Sequence, residues 1–447
     1  MKKHGYEVLK EEFKVDKKNY FRDIFPYTEI PKMNFTGELV PMDIPDKIWV
    51  TDTTFRDGQQ SMTSFSVEQI STIFDYMNKI DNNSGIIRQS EFFLYTDKDK
   101  EAVKVCREKG YEFPEITAWI RAHEKDLELV KELEIAETGM LMSCSDYHIY
   151  DKLNMTRESA MEYYLKMASK AIELGIKPRC HLEDITRADF DGFVIPLVQK
   201  LMELSKDSGM DVKIRACDTM GLGVPYNGTQ LPRSVPGIMH KLRTEGGVES
   251  RLIEWHGHND FYSVVNNSSA AWQYGCSGIN STLFGIGERT GNCPMEGMLI
   301  EYAQIKGTLE NMDLTYLTEL AHYFDKELDY KISDKTPFVG GDFNLTKAGI
   351  HADGLLKNEE IYNAFDTTNI LGRPPLVAVN QYSGLAGIAA WINGYYNLKG
   401  DKKFSKRDEK LAPIKEWVDK EYENGRTSVI RTEELKELSE KYIGDYI

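Results

Sequence analysis

Two short motifs bring together residue types that bind metal ions and anions. In HGHND, His256 and His258 stand two positions apart, and in TTFRDGQQ, Arg56 directly precedes Asp57. A spacing of two in a strand puts both imidazoles on one side, where they can hold the same metal ion. Asp57 offers a carboxylate to that ion, and Arg56 can bind a substrate carboxylate. Each motif alone also fits a buried polar pair or a surface ion pair, but together they predict a divalent-metal site.

A glycine-containing stretch, GIGERTGN, supplies a further candidate ligand. Its glycines let the backbone approach a ligand closely. It has neither the Gly-Lys-Ser/Thr ending of a P-loop nor the glycine spacing of a dinucleotide-binding fingerprint. The amide oxygen of Asn292 can complete a set with Asp57, His256 and His258. Such a mixed oxygen and nitrogen set suits Mn²⁺, Mg²⁺, Co²⁺ or Zn²⁺, and we expect Mn²⁺ first among them.

A third group of polar residues occurs in the stretch PRCHLEDIT. Arg179, His181 and Glu183 share one side of a strand by the period of two. They are candidates for contacts with a substrate, and structural ion pairing is the alternative interpretation. Thr219, which follows Asp218 in a later stretch, is a candidate hydrogen-bond donor to a substrate, and it fits the cap of a helix equally well.

All of these residues end or follow short β-rich runs. Eight such runs begin at Ile48, Ile87, Pro114, Glu137, Pro178, Val212, Leu252 and Gly278. Stretches with helical periodicity separate most of them, which indicates a parallel sheet. Eight β/α units predict an α/β protein with a TIM (β/α)₈ barrel. Reactive groups of such barrels lie at the carboxyl ends of the strands, so we expect the motifs to meet there.

The chain divides into three predicted regions. Residues 1–47 contain four prolines among aromatic and charged residues and are expected to wrap over the barrel as an N-terminal extension. Residues 48–310 are predicted to form the catalytic barrel. Residues 311–447 have a mainly helical pattern, which predicts one or two C-terminal helical subdomains.

Composition limits the classes of partner. The chain has 55 basic and 71 acidic residues, a net charge of −16, which opposes binding to nucleic acid and to anionic lipid. It contains no apolar run long enough to span a bilayer and begins with no recognisable secretory signal, so we expect a cytoplasmic protein. Six cysteines without a CxxC pair predict free thiols.

The motifs TTFRDGQQ, HGHND, GERTGN and KAGIHADG, in this order, resemble those of the DRE-TIM family of metal-dependent Claisen condensing enzymes and lyases. The resemblance spans roughly residues 48 to 385. It implies that Asp57, His256, His258 and Asn292 ligate a divalent metal. It also implies a homodimer, by analogy with other members of the family.

The same resemblance implies roles for residues beyond the metal ligands. Arg56 would bind a 2-oxo acid near its ketone, and Glu183 and His351 would be the acid and base residues, with the division between them open. Arg179 and His181 stand where homocitrate-forming members bind the distal carboxylate. A dicarboxylic 2-oxo acid and acetyl-CoA are therefore the implied substrates.

The choice of oxo acid depends on finer similarities. The N-terminal extension and the stretch GERTGNCPMEGM look most like the branch that condenses acetyl-CoA with oxaloacetate to give citrate and CoA. Many homocitrate-forming members carry glutamate in place of Asp57, which argues against 2-oxoglutarate. The alternatives are 2-oxoglutarate or a branched oxo acid as acceptor, a metal-dependent acyl-CoA lyase or carboxyltransferase, and a noncatalytic metal-binding barrel.

Overall fold

The computed structural model describes residues 18–328, 330–346, 351, 354–355, 357–396, 398 and 400–447. The chain forms two compact units, Met1–Met312 and Asp313–Ile447. The N-terminal extension is thus described from residue 18, and of the KAGIHADG motif only His351 and Gly354 belong to the described residues. Among the described helices, none has the length and hydropathy that a membrane span requires.

Eight parallel strands close into a barrel in the first unit, with the first strand pairing with the eighth. The strands are β1 Trp49–Asp52, β2 Ile87–Phe92, β3 Glu115–Arg121, β4 Glu137–Ser143, β5 Lys177–Glu183, β6 Lys213–Asp218, β7 Ile253–Gly257 and β8 Gly278–Ser281. Each strand overlaps one of the eight β-rich runs of the sequence. The predicted TIM barrel is therefore confirmed. We call the end of the barrel at the carboxyl termini of its strands the mouth.

A helix follows each strand along the chain. The helices are α1 Val67–Asp81, α2 Asp97–Glu108, α3 Glu124–Glu132, α4 Arg157–Glu173, α5 Ile195–Ser208, α6 Val235–Thr244, α7 Val264–Gln273 and α8 Met295–Lys306. Ser66 and Thr156 accept hydrogen bonds from backbone N–H groups three residues on, and so cap α1 and α4. In α1, apolar residues at helical spacing, such as Ile70, Phe74 and Met77, are buried.

The interior of the barrel is charged where many TIM barrels are apolar. Three basic and three acidic side chains, each at most 7% exposed, face one another there: Glu91, Glu137, Arg179, Lys213, Arg215 and Glu254. Arg179 contacts Glu91 at 2.6 Å and Glu137 at 2.9 Å, and Arg215 contacts Glu254 at 2.6 Å. We call these six residues the interior ion network. Because cations and carboxylates are equal in number, the network buries no uncompensated charge.

Residues 18–47 run along the first unit with almost no regular secondary structure. Backbone hydrogen bonds join Thr36 N–H to the Gly228 carbonyl at 2.9 Å and Asp43 N–H to the Gln273 carbonyl at 2.8 Å. Lys306 in α8 donates to the carbonyl of Pro45 at 3.0 Å. These contacts attach the segment to the loops and helices around the barrel.

The second unit is mainly helical in its described residues. Its helices are α9 Thr315–Glu327, α10 Thr367–Leu371, α11 Leu385–Tyr395, α12 Ala412–Glu423 and α13 Thr432–Ile443. Ile388, Trp391, Val418 and Leu435 belong to its apolar core. Two short parallel strands, β9 Leu345–Thr346 and β10 Leu376–Val377, pair in this unit. The sequence pattern did not predict them, because two residues are too few to display an alternating period.

Candidate functional site

Asp57, His256 and His258 come together at the mouth of the barrel. Asp57 lies in the turn after β1, His256 in β7 and His258 directly after it. The Nε2 atoms of His256 and His258 lie 3.4 Å and 3.6 Å from Asp57 Oδ2. One potential donor atom from each residue lies within 4.8 Å of the others, a spacing that could hold one metal ion. The three side chains predicted to form a site are thus neighbours.

Both imidazoles are oriented through their other ring nitrogen. Nδ1 of His256 lies 2.7 Å from Asn280 Oδ1 in β8, and Nδ1 of His258 lies 2.7 Å from the carbonyl oxygen of Thr219. The amide of Asn280 is itself fixed, since its Nδ2 donates to Thr51 Oγ1 at 3.1 Å. With Nδ1–H donated to these acceptors, each imidazole in its neutral form carries its lone pair on Nε2, the tautomer that a metal ligand needs.

The protonation states also suit a cation. Burial acts to raise the pKa of Asp57, but Arg56 and the two histidines outweigh it and hold the pKa well below its usual range. Burial, together with the charge of His258, lowers the pKa of His256 to about 3. Burial also acts to lower the pKa of His258, yet its hydrogen bond with Asp57 raises it overall. An ionised carboxylate beside a neutral imidazole is ready to bind a divalent ion.

Asn292, the fourth predicted ligand, lies against the same cluster. Its Nδ2 donates to Asp57 Oδ2 at 3.0 Å and to the Ile286 carbonyl at 3.2 Å. Its Oδ1 is buried and, among the described residues, has no hydrogen-bond partner. A Cβ on Gly287 would lie 2.7 Å from Asn292 Nδ2, so only glycine leaves room for this amide. A buried oxygen without a partner fits a site that a cation completes.

Arg56 lies beside the cluster and is itself held from two sides. Its Nη1 lies 3.1 Å from Asp57 Oδ1, and its Nε donates to Glu91 Oε1 at 2.9 Å. Its guanidinium lies 5.2 Å from the ring centroid of Trp119. Burial acts to raise the pKa of Glu91, but Arg215, Arg56 and neighbouring cations lower it to about 2. Glu91 was not among the predicted residues, although a carboxylate within the β-rich run IRQSEFFL indicates that the barrel interior contains charged side chains.

Glu183 ends β5 within a second polar cluster. It accepts a hydrogen bond from Ser143 Oγ, and its Oε2 lies 2.9 Å from Lys152 Nζ and 3.0 Å from His148 Nδ1. Burial acts to raise the pKa of Glu183, but His148, Ser143 and Lys152 lower it to about 2. The carboxyl is therefore ionised at neutral pH. His148 and Lys152 were not among the predicted residues, although both follow the end of a predicted strand.

Arg179 and His181 lie deeper in the barrel than Glu183. The guanidinium of Arg179 is fully buried, and its charged partners belong to the interior ion network. His181 is 2% exposed, and its Nε2 lies 3.7 Å from Glu91 Oε2 without a hydrogen-bond partner among the described residues. Burial and the charges of Arg215 and Arg179 hold the pKa of His181 well below its usual range. The contacts of Arg179 thus favour a structural role, whereas His181 keeps a free ring nitrogen.

Thr219 and His351 complete the predicted set. The Oγ1 of Thr219 accepts a hydrogen bond from the backbone N–H of Asp184 at 2.9 Å, and its carbonyl oxygen orients His258. His351 belongs to the second unit, where its ring centroid lies 4.3 Å from that of Tyr362. The roles of both residues in catalysis or binding stay predictions.

Comparison with known proteins places the chain among relatives that match it along most of its length. The profile of the HMGL-like family matches residues 47–323. A citrate (Re)-synthase of Clostridium kluyveri is 60% identical over 447 residues, covering 100% of this chain and 98% of the relative. A citrate (Re)-synthase of Syntrophus aciditrophicus is 50% identical over 429 residues, covering 96% of this chain and 68% of the relative.

A solved structure supports the fold. The HMG-CoA lyase of Bacillus subtilis superposes with a TM-score of 0.51 at 19% identity, covering 65% of this chain and 97% of the lyase. At this level of identity the likeness concerns the barrel architecture alone. The chemistry of the site therefore depends on the residues that this chain places at the mouth.

Proposed function

The chain belongs to the HMGL-like family, and from that premise we propose that it condenses acetyl-CoA with oxaloacetate, giving citrate and CoA. The observation that carries the chemistry is the cluster of Asp57, His256 and His258, with Arg56 beside it. Two citrate (Re)-synthases, 60% and 50% identical to this chain, support the choice of oxaloacetate. The product would place the reaction in the tricarboxylic acid cycle.

The proposed metal ligands are Asp57, His256, His258 and Asn292. We propose Mn²⁺ as the ion, with Co²⁺, Mg²⁺ and Zn²⁺ as alternatives that the same donors accept. A divalent cation bound there would act as a Lewis acid on the ketone of the oxo acid. The buried, unpartnered Oδ1 of Asn292 supports the fourth ligand, because a bound cation would satisfy it.

Arg56 is the proposed contact for the reacting end of the oxo acid. Glu91 and Trp119 hold its guanidinium in place, so little side-chain entropy is lost when a substrate binds. The guanidinium would neutralise negative charge that develops on the ketone oxygen as the new carbon–carbon bond forms. His181, with its free ring nitrogen, is the proposed contact for the distal carboxylate. A role of Arg179 in that contact stays a prediction.

Glu183 and His351 are the proposed residues for proton transfer. With a pKa of about 2, Glu183 is ionised and has no proton to donate, but so low a pKa also makes it a weak base, which suits it to orient the group that takes the proton. In the proposed reaction, a base removes a proton from the thioester methyl, the resulting carbanion attacks the ketone carbon, and the alkoxide formed on the ketone oxygen takes up a proton to become the hydroxyl group of citrate. Water then hydrolyses the thioester and releases CoA.

A homodimer is the proposed assembly. The segment 27–44 exposes several large apolar side chains, and such surface marks sites of protein–protein contact where it is contiguous. The exposed residues are Tyr27, Ile30, Met33, Phe35, Leu39, Met42 and Ile44. Gel filtration with light scattering should give twice the chain mass, and the variant Leu39→Glu should shift the protein toward the monomer. A wild-type protein of one chain mass would refute the dimer.

A cytoplasmic location also stays a prediction.

The test of the proposed reaction is anaerobic release of CoA from acetyl-CoA by the Mn²⁺-loaded protein. Oxaloacetate, 2-oxoglutarate and 2-oxoisovalerate are offered in parallel, and a chelator serves as the control. We expect chelator-sensitive release with oxaloacetate and little with the other two acids. Preference for another oxo acid would overturn the proposed substrate, and release that survives removal of the metal would overturn the proposed site.

A further inference from the structure

Two motif residues without an assigned role form an ion pair across two loops of the mouth. Asp260 ends the HGHND motif, and Arg289 lies in GERTGN. Arg289 Nε lies 2.8 Å from Asp260 Oδ1, and its Nη2 lies 3.1 Å from Asp260 Oδ2, so the pair is bidentate. The Arg289 side chain is 39% exposed and that of Asp260 18% exposed. An exposed pair of this kind contributes little to stability by itself.

The pair also reaches the group that orients a proposed metal ligand. Nη2 of Arg289 donates to the carbonyl oxygen of Thr219 at 2.7 Å. The same oxygen lies 2.7 Å from Nδ1 of His258. One guanidinium therefore connects the loop after β7, through Asp260, with the carbonyl after β6 that fixes the ring of His258.

The surrounding backbone is shaped to make this connection. Arg289 has a φ of 55°, in the left-handed region that costs energy for a residue with a side chain. Asn259 N–H donates to the Gly291 carbonyl at 2.9 Å, which joins the loop after β7 to the loop after β8. A Cβ on Gly221, which follows Thr219 by two residues, would lie 2.9 Å from the His258 carbonyl oxygen. Three loops thus converge on one metal-binding histidine.

We propose that Arg289, anchored by Asp260, is a positioning residue that sets the affinity of the site for its metal by holding the Thr219 carbonyl against His258. Groups that orient a metal-binding histidine through its second ring nitrogen typically change metal affinity by roughly 10- to 100-fold. The inference rests on the proposed role of His258 as a ligand. It does not depend on which oxo acid is the substrate.

The test measures the dissociation constant for Mn²⁺ directly. Metal-loaded full-length protein is titrated with a chelator of known affinity, and the distribution of Mn²⁺ gives the constant. We expect Arg289→Ala to bind Mn²⁺ about 10-fold more weakly than wild type, at the lower end of that range, because the Thr219 carbonyl that contacts His258 directly remains. Asp260→Asn should weaken binding less, because Arg289 keeps its bond to Thr219. The double variant should bind no more weakly than Arg289→Ala, since both residues act through one contact.

Arg251→Ala is the matched control. Arg251 pairs with Asp211 at 2.7 and 3.0 Å, in the same bidentate manner, but it precedes β7 and so lies at the opposite end of the barrel from the mouth. Its variant should bind Mn²⁺ as wild type does. Thermal unfolding of each variant in excess chelator reports any general loss of folding, and Asp260→Asn provides the answer if Arg289→Ala does not fold.

The outcomes separate this inference from the proposed function. Wild-type affinity in both Arg289→Ala and Asp260→Asn would overturn the positioning role while leaving the metal site intact. Equal weakening by Arg289→Ala and Arg251→Ala would also overturn it, because the effect would then not depend on the contact with Thr219. Absence of saturable Mn²⁺ binding in wild type would overturn the metal site and this inference together.

Discussion

His256 and His258 direct their Nε2 atoms at Asp57 because Asn280 and the Thr219 carbonyl occupy their Nδ1 atoms. Replacing His258 removes one donor and leaves Asp57 with fewer partners. We therefore expect His258→Ala to lose stoichiometric metal and activity together, whereas His240→Ala, a histidine of α6, should retain both. Metal content per chain, measured by mass spectrometry after gel filtration, decides this. Stoichiometric metal in purified His258→Ala would remove His258 from the ligand set.

Glu296 in α8 is a buried carboxyl with an unusual titration. Burial raises the pKa of Glu296 from 4.5 to about 7, although hydrogen bonds from backbone N–H groups, that of Phe284 among them, act in the opposite direction. Because the folded chain holds this proton more tightly than the unfolded chain does, stability is lost as pH rises from about 4.5 to about 7.

Glu296→Gln should reduce the loss of stability with rising pH, since glutamine stays neutral. Its side-chain oxygen can still accept a hydrogen bond from the backbone N–H of Phe284. Urea unfolding at several pH values across the window measures the slope of the unfolding free energy against pH. Glu108→Gln, at an exposed position in α2, is the control and should leave the slope unchanged. A slope in Glu296→Gln equal to that of wild type would contradict the account.

Residue type and spacing were sufficient to predict that Asp57, His256 and His258 lie close together at the mouth. The period of two predicted that His256 and His258 share a direction, and Asp57 was predicted from its place after another strand. The hydrogen-bond acceptors of the two imidazoles, Asn280 Oδ1 and the Thr219 carbonyl oxygen, could not be predicted. Their contacts depend on the register between strands and on the position of backbone atoms. Glu183 was predicted, but its partner His148 lies in a short π-helical segment, Tyr147–Lys152, which no apolar periodicity of the sequence indicates.

Among the elements, β4 and β5 depend on a glycine for their packing. A Cβ on Gly139 in β4 would lie 2.5 Å from His181 Nε2 and 3.1 Å from Glu91 Oε2. Gly139→Ala should therefore force His181 to move and should reduce the unfolding free energy by about 1–3 kcal/mol. Gly297→Ala in α8, where a Cβ meets its nearest neighbours at 3.4 and 3.5 Å, is the control. Equal stability of the two variants in urea would contradict the predicted clash.

The strands were predictable as elements, while the character of their inner faces was overlooked. Gln89 and Glu91, Lys213 and Arg215, and Glu254 and His256 all stand two apart within predicted runs. Polar residues at that period within a closed barrel must face either its interior or the surrounding helices. Only the closed structure shows that they face one another inside, where Arg215 pairs with Glu91 and Glu254.

For the molecule as a whole, the interior ion network links five strands of the barrel through buried charges. Removing one partner of such a network leaves the others buried without compensation. Arg215→Met should therefore reduce the unfolding free energy of the protein by about 3–5 kcal/mol. Arg251→Met removes an exposed arginine of similar pairing and should cost less than about 1 kcal/mol.

Chemical unfolding of the metal-free proteins measures both changes. The double variant Arg215→Met with Glu254→Gln should recover part of the loss, because the second change removes one uncompensated carboxylate. Similar stabilities of Arg215→Met and Arg251→Met would contradict the importance of the interior charges.

We propose that this barrel joins the methyl carbon of acetyl-CoA to the ketone carbon of oxaloacetate. The most direct test supplies the Mn²⁺-loaded protein with oxaloacetate and acetyl-CoA isotopically labelled at the methyl carbon, and follows the label by NMR. The label should appear in a methylene group of citrate, and a chelator should prevent its appearance. Label recovered as acetate, or citrate formed equally well without the metal, would contradict it.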